Sequence, residues 1–249
     1  QLRETERCDV VVCLSHLGWD MAPMVDDSTL VAKTTGIDIV LGAHSHDYFI
    51  DLQYVKNAEG KEVTTNGHGG GIDVQAGSVL NLYGGTITGG KTTNGAGGIH
   101  VNGARLYLND VCVTKNSAGT DNGGGIALYR SSKLVMNGGE LGDNIAVKGA
   151  GVFLDDSSYA EFNNVAMHGN YAGYDGSVAY VWSQNCTIKF NNCKMYENRD
   201  DLIGIAEDNS NLYMDGCEIY SNYGTYHTDL IYVLTDFDCE HKVEIKNTY

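Results

Sequence analysis

The sequence has almost no proline. One stands in 249 residues, at Pro23. Proline removes a hydrogen-bond donor from a strand ladder, so its absence beyond that point leaves the chain free to run as continuous sheet. Basic side chains are also scarce. Lys and Arg number 16 against 32 Asp and Glu, for a formal net charge of −16. The deficit is not local: residues 1–64 alone carry 5 basic and 11 acidic side chains. Nucleic-acid backbones are held by clustered Lys and Arg, so that partner is excluded. No apolar run reaches the length of a membrane span. The 7 cysteines show no Cys-x-x-Cys spacing, which argues against a zinc ribbon or a dithiol redox motif. No signal peptide is apparent and the first residue is Gln1 rather than Met. The chain is therefore read as a fragment.

Glycine is plentiful, at 32 residues, and a short block recurs. Its fullest copy is Phe162-Asn163-Asn164-Val165-Ala166-Met167-His168-Gly169-Asn170. Six copies set apolar residues five places apart: Leu82/Ile87, Leu108/Val113, Met136/Leu141, Phe162/Met167, Phe190/Met195 and Met214/Ile219. Three places further on stand Gly90, Asn116, Asn144, Asn170, Asn198 and Asn222, and the copies lie 24 to 28 residues apart. A fixed period of this size marks a solenoid. Leu106-x-Leu108 and Val111-x-Val113 alternate with period two, which predicts strands with one buried face. A third alternating strand precedes each block, from Ile72/Val74 to Ile203/Ile205. Three short strands per repeat, with no room for a helix, predict a right-handed parallel β-helix of about seven coils, stacked about 4.8 Å apart.

The corner after each first apolar residue holds Asn109-Asp110, Asn137-Gly138, Asn163-Asn164, Asn191-Asn192 or Asp215-Gly216. These residue types tolerate the positive φ that a sharp corner demands. The aligned Asn116 to Asn222 are expected to stack inward and bond coil to coil. Cys193 and Cys217 share one inward position in adjacent coils. Their backbones fall within reach of a disulfide, although a pair of small buried apolar residues is the simpler reading. Cys112 falls on an outward position. A last coil begins at Ile231/Val233 and reaches its turn at Ile245-Lys246-Asn247 before the chain stops at Tyr249.

The first quarter of the chain reads differently. Asp9 to Leu14 is a continuous apolar run typical of a buried parallel strand. Asp27 to Thr35 is helical in pattern, with Ser28 as cap and Gly36 as stop. Ile37 to Leu41 is a second buried strand, and Leu52 to Thr64 reads as a hairpin around Asn57-Ala58-Glu59-Gly60. His16, His44 and His46 follow the carboxyl ends of the two strands, where open α/β sheets place their ligands.

Cys8 to Gly18, with its Ser15-His16-Leu17-Gly18, and Gly36 to His46, with its Gly42-Ala43-His44-Ser45-His46, resemble calcineurin-like metallophosphoesterases of the bacterial 5'-nucleotidase family. The resemblance implies that His16 and His44 hold one divalent metal and His46 another, zinc or manganese. It implies a parent that hydrolyses phosphate esters of nucleotides with two metals. The family's Asp-x-His, metal-bridging Asp and Asn-His segments are absent here, so no catalytic residue is assigned and the chain is expected to be inactive as it stands.

The expected organisation is thus a partial metallophosphoesterase segment over 1–64 and β-helix repeats over 65–249, truncated at the C-terminus. The repeats resemble those of bacterial surface proteins, which implies an extracellular or cell-surface location. Two surface features are candidates for binding. His168, Tyr196 and Tyr220 occupy one outward position in successive coils, as a strip for sugar faces or as plain cross-strand stacking. Asp155-Asp156, Asp200-Asp201 and Glu207-Asp208 lie in neighbouring turns, as ligands for Ca²⁺ or a glycan or as solvated turns. A non-enzymatic adhesion or glycan-binding protein is the alternative to the phosphoesterase. A β-helix polysaccharide lyase or hydrolase ranks third, because no outward strand clusters Asp, Arg and Lys.

Overall fold

The computed structural model describes residues 10–14, 27–41, 53–56, 58, 62–65, 71–93, 95–207, 209–224, 229–234 and 241–249. The chain divides into two compact units, Gln1–Ile72 and Asp73–Tyr249.

In the first unit, β1 (Val12–Leu14) and β2 (Ile39–Leu41) pair in parallel, with α1 (Asp27–Ala32) between them in sequence. Leu14 stands opposite Leu41, so the two strands end level. Val31 of the helix and Val40 of β2 are fully buried against Cys13 and Ile37. The helix is shorter than the expected Asp27–Thr35: it ends at Ala32, where Lys33 N–H donates to the Leu30 carbonyl, and it contains Ser28 rather than being capped by it. Gly36, at φ +77 with open space around it, bends the link to β2 and is not the helix stop. β3 (Gln53–Lys56) and β4 (Glu62–Thr65) pair antiparallel, and β4 continues the sheet beside β2.

The second unit is a parallel β-solenoid of about seven turns. Three sheets run along it. The first has seven strands from Ile72–Val74 to Ile231–Val233, the second seven from Val79–Tyr83 to Lys242–Lys246, and the third six from Thr86–Thr88 to Glu218–Tyr220. Register is exact from coil to coil: Leu106, Leu134, Ala160, Ile188 and Leu212 align, as do Leu108, Met136, Phe162, Phe190 and Met214. All ten are buried, and the Phe162 and Phe190 rings stack at 5.4 Å. The hydrophobic alternation therefore fixes one face inward, because a slip by one residue would expose the whole row.

Left-handed backbone recurs at the corners of each coil. Asp110, Gly138, Asn164, Asn192 and Gly216 have φ between 52 and 67 where the second sheet meets the third. Lys115, Asp143, Gly169, Glu197 and Ser221 have φ between 55 and 62 just before the aligned asparagines. For a non-glycine residue that conformation costs about 1–2 kcal/mol, so something must hold the corner. The asparagine ladder does. Asn116, Asn144, Asn170 and Asn198 are fully buried. Each donates from Nδ2 to the Oδ1 of the next asparagine at 3.0–3.1 Å and to a main-chain carbonyl of the preceding coil at 2.9–3.0 Å. Every side-chain valence is satisfied, so burial costs little.

The structure departs from simple alternation on the outer face of the first sheet. Ala127, Phe153 and Tyr180 occupy outward positions yet are buried, in a cluster with Ala96. The connections from the third sheet back to the first fold over this face. Two of them add strands, Ile145–Lys148 and Tyr171–Asp175, paired with each other. Close approach explains the glycines there. At Gly149 (φ +62) a Cβ would come within 3.0 Å of Phe153.

Candidate functional site

His16, His44 and His46 lie outside the described residues, as does Asp208. Among the described residues no group of three or more His, Cys, Asp or Glu is placed to hold a metal ion. Among the described residues no helix is long and apolar enough to cross a membrane.

His168, Tyr196 and Tyr220 fall in register along the third sheet. The rings stack on one another at 4.9 Å and 5.2 Å, with interplanar angles of 19° and 3°. Stacked rings turn their faces to each other and their edges to solvent. His168 Nε2 also meets Glu140 Oε1 at 2.8 Å. Burial of Tyr196 between its neighbours raises its phenol pKa. Lys194 beside this row pairs with Glu218 at 3.2 Å, a half-exposed bridge of small energetic weight.

The acidic turns separate into two kinds. Asp200 and Asp201 are buried. Asp201 Oδ1 accepts the Asp229 amide, and the Asp200 and Asp201 carbonyls accept the Ser177 hydroxyl. They build the fold. Asp155 is likewise committed, accepting from the Asp156 amide and the Ser183 hydroxyl. Asp156 and Glu207 are exposed.

These two carboxylates share one cleft. It is a shallow, open groove of about 380 Å³ lined by Asp156, Ser157, Trp182, Ser183, Gln184 and Glu207, together with Asn185. Its construction follows from register. Leu154, Val181 and Ile205 pair across three consecutive coils. Two residues beyond each stand Asp156, Ser183 and Glu207, so the cleft spans one corner of three stacked turns. Two coil spacings put Asp156 and Glu207 about 10 Å apart.

Trp182 is the aromatic member, 43% exposed. Its indole continues an aromatic row from Tyr129 through Phe153 and Tyr180, at centroid distances of 5.8, 6.3 and 6.1 Å. The Lys148 ammonium lies 4.4 Å over the indole and 4.7 Å over the Tyr180 ring, and it donates to the Tyr180 hydroxyl at 3.2 Å. Desolvation lowers the Lys148 pKa, and Asp175 opposes that shift. The site thus has a rigid aromatic wall, two exposed carboxylates and several neutral hydrogen-bonding groups. Sequence reasoning found the acidic turns and missed Trp182. Its signal was an outsized aromatic in a turn otherwise built of Asp, Ser, Gln and Asn.

A family model described as "Right handed beta helix region" matches residues 50–219. The chain belongs to the right-handed β-helix family. The match supplies the hand of the solenoid and covers most of its coils. No curated protein and no solved structure matches the chain.

Proposed function

We propose that this β-helix is a non-enzymatic glycan-binding surface module, with the Trp182 cleft as its binding site. The observation that carries the reading is the position of a partly exposed indole in a groove lined by Ser157, Ser183, Gln184 and Asn185. Apolar sugar faces stack on aromatic rings, while amides and hydroxyls take the sugar hydroxyls. Rigid coils hold these groups in place, so little conformational entropy is lost on binding. The His168–Tyr196–Tyr220 row supports the reading less well, since its ring faces are already used against one another.

The test is calorimetric titration of the protein with neutral oligosaccharides, repeated with Trp182→Ala. Saturable binding that disappears in the variant supports the module. Equal binding by Trp182→Ala, or release of new reducing ends, overturns it.

A second reading concerns the first unit. There β1 and β2 pair in parallel and end level, with α1 between them in sequence. His16 follows Leu14 by two residues and His44 follows Leu41 by three. Three imidazoles suit zinc, which they would hold as a single ion. Hydrolysis of a phosphate ester would need residues this chain does not supply.

A further inference from the structure

The inward position that opens the third sheet reads Val111, Gly139, Val165, Cys193 and Cys217 in successive coils. The two cysteines are flanked by paired residues on both sides: Asn191 with Asp215 before them, Lys194 with Glu218 after. The Glu218 amide donates to the Cys193 carbonyl at 2.9 Å, which locks their register. Both side chains are fully buried and both thiols are free. In-register residues of adjacent coils lie about 4.8 Å apart, within the roughly 4.4–6.8 Å between α-carbons that a disulfide requires. The sulfurs stand in equivalent settings, Cys193 Sγ 3.5 Å from the Phe162 carbonyl and Cys217 Sγ 3.5 Å from that of Phe190.

We propose that Cys193 and Cys217 form a disulfide that joins two adjacent coils when the chain folds beside a small-molecule disulfide such as oxidised glutathione.

In the folded chain the two thiols are hydrogen-bonded to one another. Either cysteine can open a thiol–disulfide exchange as its thiolate, Cys217 being taken as the first. One glutathione thiolate leaves and a mixed disulfide remains on Cys217. The Cys193 sulfur then attacks the Cys217 sulfur, its proton passes to solvent, and the second glutathione leaves. Two protein thiols are oxidised and one glutathione disulfide is reduced. Because both sulfurs are buried in the finished solenoid, the exchange belongs to folding, as the coil carrying Cys217 docks on the one carrying Cys193.

The test is to refold the full chain in a glutathione buffer rich in the oxidised form, block remaining thiols with iodoacetamide, and digest without reduction. The expected product is one cross-linked peptide pair containing Cys193 and Cys217, with a Tm that falls when reductant is added. The control is the double variant Cys193→Val with Cys217→Val. Valine already fills this position at Val111 and Val165, so the coils should still stack, and the Tm should no longer respond to reductant. If the chain does not refold, the same digest is run on protein isolated from an oxidising compartment. Alkylation of both cysteines, cross-linking to Cys186 instead, or a redox-dependent Tm that survives in the double variant would each overturn the proposal.

Discussion

Asn144 and Asn170 meet at a single oxygen. Asn170 Oδ1 accepts both the Asn144 main-chain N–H and the Asn144 Nδ2, each at 3.1 Å. One side chain thereby closes a corner of the coil before it and ties that coil to its own. Replacing Asn170 with Asp removes the donor that serves Asn198 Oδ1 and the Leu141 carbonyl, and leaves a carboxylate facing two acceptors. The expected cost is about 3–5 kcal/mol, the range for an uncompensated buried charge. Chemical denaturation of the variant reads it directly, and an unchanged midpoint would contradict the ladder.

The core row gives a second expectation. Phe162 is fully buried and stacked on Phe190. Phe162→Ala should destabilise by about 3–5 kcal/mol, because neighbouring coils are held in register and cannot collapse into the cavity. Phe153, on the outer side of the first sheet, should behave as a core residue too. A Phe153→Ala loss below about 1 kcal/mol would mean that the connections do not cover it.

The inner architecture was legible because register and hydrophobic alternation reinforce one another. Leu106-x-Leu108 and its equivalents could face only inward, and the asparagines that close each block could be satisfied only by stacking. Phe153 and Tyr180 were not legible in the same way. Alternation places them outward, and they become buried only because the connections carrying Lys148 and Asp175 fold back across them. That is a tertiary event with no local period. The binding cleft was half legible for a related reason. The acidic turns stand out in sequence, but only coil stacking shows that Asp156 and Glu207 face one groove with Trp182 while Asp200 and Asp201 are buried.

Acid should weaken one outward contact in a defined direction. Tyr159 donates to Glu161 Oε2 at 2.5 Å, and this bond, aided by Asn163, Lys189 and Lys133, lowers the Glu161 pKa against an opposing desolvation. A depressed carboxyl pKa contributes stability above its unfolded value and loses it as pH falls through the folded one. Wild type should therefore melt higher than Tyr159→Phe at neutral pH, and the two curves should converge in acid. A difference independent of pH would assign the effect to packing instead.

The first unit is tested with metal alone. Zinc titration by calorimetry should show binding that is lost in His44→Ala, with no phosphate released from a nucleoside monophosphate above background. Metal-dependent phosphate release abolished by His44→Ala would overturn the expectation of inactivity. Absence of zinc binding would remove the phosphoesterase reading.

A second row of polar side chains runs along the outside of the solenoid. Asn137 donates to Asn109, Asn163 to Asn137, and Asn191 to Asn163, each toward the preceding coil at 2.8–3.0 Å. The bonds between buried asparagine side chains run the opposite way, each donating to the asparagine of the following coil. Within these rows a coil such as 133–158 arrives with one donor and one acceptor for each neighbour. Copied in tandem, it would meet its twin as it meets its present neighbours, with no bond left over on either side. Only a coil at the start can dispense with the inner amide, as Gly90 does, whose main-chain N–H alone reaches Asn116 Oδ1 at 3.0 Å. Lengthening by gene duplication would thus leave both amide rows unbroken.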